Sequence, residues 1–428
     1  MIRDTLARLS NRPKIARLKR GARALRANIE AGVGRETFRA TRTARRDEDK
    51  EGPFLWSASA IERVSLARTT DPRRESAIEH VTAAARDAVA GPDYSVMDKL
   101  WTPSSGDKHD YYSGGAYWWP VEGSPPGTPW VFRDGRMNPV RFGEEYDLTR
   151  LDRLAESVKM LALGYRFTGE QAYAVRAAQL VRRWFVDPEH RMNPHLTYAQ
   201  IVPGAKKVTG TGIIETLRFV AIIDAIALLA DSEALSPRDI DDVRDWIARY
   251  AHWLRTSVNG RMERATNNNH GLSYDIQQMS YGLFTGDIAT ARSVAEALPK
   301  RRVYRQIRSD GSLPEEARRK EAFFYVAYGV GFFFDAATLA ERVGVDLWRY
   351  RTRDGTGVEG ALRALMRHAD RAEPWAGGGT RLPDVEMYAL ALRGAWAYDD
   401  SALGAIADGY AARLPLQPVD WTIPRYPA

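Results

Sequence analysis

Apolar and polar positions between residues 148 and 185 follow a helical period that breaks once. Leu151, Leu154, Val158, Leu161 and Leu163 recur mostly at three- and four-residue steps, as on one face of an amphipathic helix. The stretch "FTGE" (Phe167–Glu170) interrupts the period, with Gly169 suited to a left-handed helix end. "QAYAVRAAQLVRRWF" resumes it, so the spacing predicts a helical hairpin. The device recurs around "FTGD" (Phe284–Asp287), and a third pair reads "ETLRFVAIIDAIALLADS" then "SPRDIDDVRDWIARYAHWL". Helical patterns continue in "ARRKEAFFYVAYGVGFFFDAATLAERVG", "GVEGALRALMRHADRA", "DVEMYALALRGAWAY" and "ALGAIADGYAARL". No run alternates with the two-residue period of a strand. The 34- and 40-residue signatures of helical solenoids are also missing. The expectation is an all-α chain, an (α/α) toroid of helical hairpins from about residue 54 onward.

Two long segments carry no such period. One spans residues 94–143 and the other is "RMNPHLTYAQIVPGAKKVTGTG". Long loops in a compact domain are commonly functional or disordered. Tyr111, Tyr112, Tyr117, Trp118, Trp119 and Trp130 argue against disorder. We therefore expect ordered loops gathered at one end of the helical scaffold.

Composition narrows the chemistry. With 428 residues, 44% hydrophobic, a sizeable core is available. The chain has no cysteine, which excludes disulfides, thiolate nucleophiles and Cys-bound zinc. The closest histidines are His190 and His195, without zinc spacing, so neither metal nor cofactor is expected. No stretch approaches the roughly 20 apolar residues of a membrane span. The basic N-terminus lacks the roughly 7–15-residue apolar core of a signal peptide. The expected location is the cytoplasm, unless the chain leaves by another route or lacks its native signal.

The net charge of +7 is unevenly spread. Residues 1–46 hold 14 Lys/Arg against 3 Asp/Glu, whereas the remainder holds 48 against 52. We read residues 1–50 as a basic arm, partly helical or flexible, and 51–428 as a single catalytic domain. The arm suits an anionic surface such as membrane, nucleic acid or acidic polysaccharide, with no specific nucleic-acid recognition expected.

Candidate chemistry concentrates at "ATNNNHGLSYDIQ" (Ala265–Gln277). A helix cap needs one asparagine, yet three precede His270. His270, Tyr274 and Gln277 fall on one helical face and suggest a polar pocket. In "LPEEARRKEAFFYVAYGVGFFF", Arg318 and Tyr325 stand two helical turns apart, roughly 10.5 Å along one axis. A guanidinium beside that phenol would favour the phenolate. In "SGDKHDYYSGGAYWWP", Trp118 and Trp119 can stack sugar rings, and Lys108 and His109 can meet an anionic group. Tyr112, Gln200 and Arg218 complete the candidate substrate contacts.

"YSVMDKLWTPSSGDKHDYYSGGAYWWP", "RMNPHLTYAQIVPG" with "GTGIIET", "NNHGLSYDIQ", "QIRSDGSLPEEARR" and "DLWRYRTRDG" follow one another in this order. In this the chain resembles the alginate lyase superfamily of polysaccharide lyases, over about residues 54–370. The resemblance implies an (α/α) toroid that cleaves uronate-containing polysaccharides by β-elimination. It places the family's catalytic asparagine and histidine on Asn269 and His270, and its arginine and tyrosine on Arg318 and Tyr325. Ser273 stands where the family often has tryptophan. The expected substrate is an anionic chain such as alginate or glucuronan. The alternatives are a glycoside hydrolase using two of Asp107, Asp110, Glu315 and Glu316, or a non-catalytic carbohydrate-binding protein.

Overall fold

Gly169 and Gly286 both adopt the left-handed conformation, with φ of 75° and 81°, and each ends a helix where the pattern breaks. The computed structural model describes residues 52–66, 72–123, 128, 130–204, 209–369, 373–377, 379 and 383–417. The basic arm expected over 1–50 lies outside them. Residues Glu51–Ala428 cluster as one compact unit.

Fourteen α-helices of four residues or more are present among the described residues. They are α1 (Ala58–Leu66), α2 (Pro72–Ala90), α3 (Leu148–Thr168), α4 (Gln171–Phe185), α5 (Arg218–Leu228), α6 (Pro237–Thr256) and α7 (Val258–Ala265). Then follow α8 (Asn269–Thr285), α9 (Ile288–Leu298), α10 (Pro314–Ala317), α11 (Ala322–Arg342), α12 (Val358–Met366), α13 (Asp384–Tyr398) and α14 (Ser401–Ala411). Two of the three expected hairpins form as packed pairs, α3/α4 and α8/α9; α5 and α6 follow one another in the chain but pack chiefly on other helices, α5 on α3 and α8, α6 on α4, α7 and α8. The fold is all-α.

An inner series forms where α3 packs on α5, α5 on α8, α8 on α11 and α11 on α13. Outer helices cover it, with α4 against α3, α6 and α9 against α8, and α14 against α13. This is the expected toroid of inner and outer helices. Position explains composition. The innermost helix, α8, buries residues on every face, including Ser273, Asp275, Gln277, Gln278 and Ser280. The 21-residue α11 is long and apolar enough for a membrane span, against the expectation that no stretch would be. Its apolar residues instead meet α8, α12 and α13.

Among the described residues, strands occur as short pairings within the two long loops, which is why no alternating run announces them. Strand β1 (Tyr112–Gly114) pairs in parallel with β4 (Tyr198–Ile201), joining one loop to the other. Strands β2 (Trp118–Trp119) and β3 (Val131–Phe132) form an antiparallel pair. Glu215, 2% exposed, ties the first loop to the scaffold. It accepts hydrogen bonds from Tyr111 and Ser113 and an ion pair from Arg141.

The first described residues are fastened in the same way. Asp224 on α5 accepts the backbone N–H groups of Phe54, Leu55 and Trp56 at 2.6, 2.9 and 2.8 Å. Burial raises the Asp224 pKa to about 6. Asp224→Ala leaves three donors without an acceptor, that of Phe54 buried and those of Leu55 and Trp56 partly so. We expect it to cost about 3 kcal/mol, read as a lower urea midpoint. An unchanged midpoint would show that water replaces the carboxylate.

Candidate active site

The three asparagines before His270 do different things. Asn267 is exposed. Asn268 is the N-cap of α8, its side-chain oxygen accepting the His270 N–H at 3.2 Å. Asn269, 2% exposed, turns inward. Its backbone N–H and its Nδ2 both donate to Glu316, at 2.7 and 2.9 Å. These bonds use the free donors at the helix start, so its backbone does not offer an open anion site.

His270 is oriented by Glu263, which α7 places beneath it. The Nδ1–Oε1 distance is 2.7 Å, and Glu263 is 1% exposed. Nε2 is left as the outward nitrogen. Burial alone would lower the imidazole pKa. The charge and hydrogen bond of Glu263 and the charge of Glu316 outweigh burial and the opposing Arg319, so the pKa lies above 6.5.

A buried arginine fixes the approach to α8. Arg302 donates to Asp275 of α8 and to the carbonyls of Arg264 and Thr266. A Cβ at Gly271 would lie 2.3 Å from both Arg302 Nη1 and the Thr266 oxygen. Only glycine leaves that room.

The arginine beside Tyr325 is not Arg318. Helix α10 ends at Ala317 and α11 begins at Ala322, so Arg318 and Tyr325 do not share a helix and the two-turn argument fails. Arg318 is 68% exposed and pairs with Glu315 at 2.7 Å. The turn brings Arg319 inward instead. Its guanidinium stands 3.8 Å from the Tyr325 ring centroid and 5.6 Å from that of Tyr117. Asp134 grips Arg319 at 2.7 Å and accepts the Lys320 N–H; its carboxyl sits below the usual range, chiefly through the Arg319 hydrogen bond.

Tyr325 shares a 2.5 Å hydroxyl–hydroxyl hydrogen bond with Tyr117. Burial and this bond raise its pKa, outweighing Arg319. The phenol is therefore not lowered below its ordinary value in the free site, contrary to the expectation for an arginine neighbour.

The other candidates divide. Trp118 packs edge-on against Phe132 at 5.5 Å. Trp119 donates to the Arg136 carbonyl, with Arg133 over its ring. Both belong to the β2–β3 hairpin that carries Tyr117 and Asp134, and Phe132 beside them is 54% exposed. Tyr112 is half-buried against Tyr146. Gln200 adopts a φ of 50°, its N–H bonded to Ser113, and Arg218 pairs with Asp152. Lys108 donates to the Met97 carbonyl and His109 bonds the Arg191 carbonyl. These two brace the loop.

Tyr274 and Gln277 do not line a pocket with His270. Tyr274 donates to the Leu254 carbonyl, and Gln277 bonds Thr216, Ile213 and Tyr281 in the core. A polar stripe on a helix buried all round is satisfied internally. Sequence reading missed Glu263, Asp134, Arg319 and the pairing role of Tyr117, and offered Glu316 only as a hydrolase acid. The only local signal was a second arginine beside Arg318.

Residues 95–375 match the family model described as Alginate lyase. A solved alginate lyase from Bacteroides ovatus is 31% identical, with a TM-score of 0.80, covering 86% of this chain and 97% of that one. Alginate lyase A1-III from Sphingomonas species A1, as a histidine-to-alanine variant complexed with tetrasaccharide, is 16% identical with a TM-score of 0.56. That match covers 83% of this chain and 90% of the other, and shows a common fold. No curated protein sequence matches the chain.

The Glu263–His270 pair makes a titration testable. A histidine whose folded pKa is raised adds stability that is complete below 6.5 and lost as pH rises through the folded value. Glu263→Gln removes the charge that raises it. The His270 midpoint, followed by NMR, should then fall below 6.5. An unmoved midpoint would acquit Glu263.

Proposed function

Because this chain belongs to the alginate lyase family and is a polysaccharide lyase, we propose that it cleaves a uronate-containing chain of the alginate or glucuronan kind by β-elimination. The product is an unsaturated C4–C5 uronate end. The observation that carries this reading is the joining of two groups of residues through Glu316 and Arg319. Asn269 and His270 stand on two buried carboxylates, and Arg319, whose charge acts on His270 and Glu316, lies on the ring of Tyr325.

The reaction needs three things. The C5 proton of a uronate is weakly acidic, and its removal builds charge on the C6 carboxylate. That charge must be neutralised, a base must reach C5, and an acid must protonate the bridging oxygen at C4. Asn269 has a second Nδ2 hydrogen for the carboxylate. His270, tied by Nδ1 to Glu263, has its titration shifted toward the protonated form, which would neutralise the carboxylate's charge. This assigns His270 to charge neutralisation and leaves proton transfer to Tyr325.

Tyr325, a phenol in the free site, must first give up its proton, a step that burial opposes and the Arg319 charge assists; as the phenolate it takes the C5 proton. The C5–H electrons form the C4–C5 double bond as the C4–O bond breaks. The new phenol returns its proton to the leaving oxygen, regenerating the phenolate. Tyr117 donates to that phenolate throughout. The carboxylates of the hydrolase alternative are engaged separately: Asp107 and Asp110 with Asn193, Glu315 with Arg318, and Glu316 with Asn269.

The test is a panel of polymannuronate, polyguluronate, glucuronan and heparin-like chains, followed by ultraviolet absorbance of the new double bond. Absence of absorbing product from every polymer would overturn the reading. Tyr325→Phe should lower kcat by about 10²–10⁴-fold with KM little changed.

The neighbouring arginines provide a second test. Arg319→Ala should cost about 10²-fold in kcat. Arg318→Ala should stay within about twofold, since an exposed ion pair contributes little. The reverse order would restore Arg318 to the site.

A further inference from the structure

We infer that Glu316 is a positioning residue, which fixes the Asn269 amide in the orientation that receives the substrate carboxylate. The inference rests on the lyase reading above. Glu316 is 3% exposed and makes no ion pair among the described residues. A carboxylate held out of water is costly unless donors with good geometry satisfy it. Here its two oxygens are directed at one residue, accepting the backbone N–H of Asn269 on Oε1 and its Nδ2 on Oε2.

Two donors on one carboxylate define the Asn269 side chain completely. The amide cannot flip, because its oxygen would then face Glu316. The second Nδ2 hydrogen consequently has one direction available. The backbone N–H, the other possible donor to a substrate anion, is already used. Glu316 thus both sets the amide and makes it the donor that this residue has to give.

The surrounding fold makes room for this. A Cβ at Gly329 of α11 would lie 3.1 Å from Glu316 Cγ and 3.0 Å from Leu313 Cδ2. Glycine is a poor residue for a helix interior, and at this position it admits the Glu316 side chain. The charged and titratable groups facing Glu316 are His270 of α8, Arg319 from the turn after α10, and Tyr328 of α11. Burial raises its pKa, while the Asn269 bonds and the two cations favour the ionised form that accepts both donors.

The test is a double-mutant cycle on the full chain, read by ultraviolet turnover. Glu316→Gln keeps the shape but turns one acceptor into a donor. It should lower kcat by about 10²-fold, as loss of one oriented transition-state donor does, with KM within about threefold. In an Asn269→Ala background the same change should cost less than about twofold, because the residue it acts through is gone. Circular dichroism melting checks that each variant is folded. Should Glu316→Gln fail to fold, Glu316→Asp enters the same cycle, with a smaller loss that again vanishes beside Asn269→Ala. Independent, multiplicative losses, or unchanged turnover in either Glu316 variant, would overturn the proposal. Inactivity of the unsubstituted chain on every polymer would instead count against the lyase reading.

Discussion

Buried carboxylates organise the start of α8. Glu263, Asp275 and Glu316 are each nearly inaccessible to water, and each ties that helix to a different neighbour. An anion out of water must be matched by donors or cations with good geometry. That demand recruits His270, Arg301 with Arg302, and Asn269 respectively. The helix is thereby located by directional bonds on three sides rather than by apolar packing alone. A packed apolar contact tolerates slippage of a fraction of an ångström, whereas a bidentate bond does not, and reacting groups require the tighter placement.

The scaffold around this point follows from simpler rules. Helices with a helical apolar period, stopped by glycine in a left-handed conformation, pack as successive hairpins. Their inner members are covered on all faces and their outer members on one. The long loops depart from that period and are anchored by their own buried anion, Glu215. Helical scaffold and reactive loops therefore share one device, an acid enclosed by donors.

What was legible in the chain depended on whether information was local. Gly169 and Gly286 mark helix ends because φ is a local property, and the hairpins followed from them. That one asparagine of the run caps a helix was likewise readable locally; that Asn268 is the one, with Asn269 turned inward, was not. Arg318 was not distinguishable from Arg319, because a four-residue turn between α10 and α11 resets the helical phase. Spacing counts only within an unbroken helix. Tyr274 and Gln277 looked like a pocket face because a polar stripe reads the same whether it meets solvent or an internal hydrogen-bond network. The pairing of Tyr117 with Tyr325 spans 208 residues and left no trace in local pattern. The family resemblance reached the reaction, but the neighbours that tune each group are properties of the fold.

The two paired hydroxyls belong to parts of the chain with different mechanical standing. Tyr325 rides on a long core helix, while Tyr117 rides on a loop held by short strand pairings and the Asp134–Arg319 bridge. Loops of this kind open locally at a lower free energy than the helices beneath them. One such fluctuation separates the hydroxyls without disturbing the toroid. Catalysis and melting then report separate equilibria. On warming, function fades with the local opening, while the helical signal persists until the whole domain gives way.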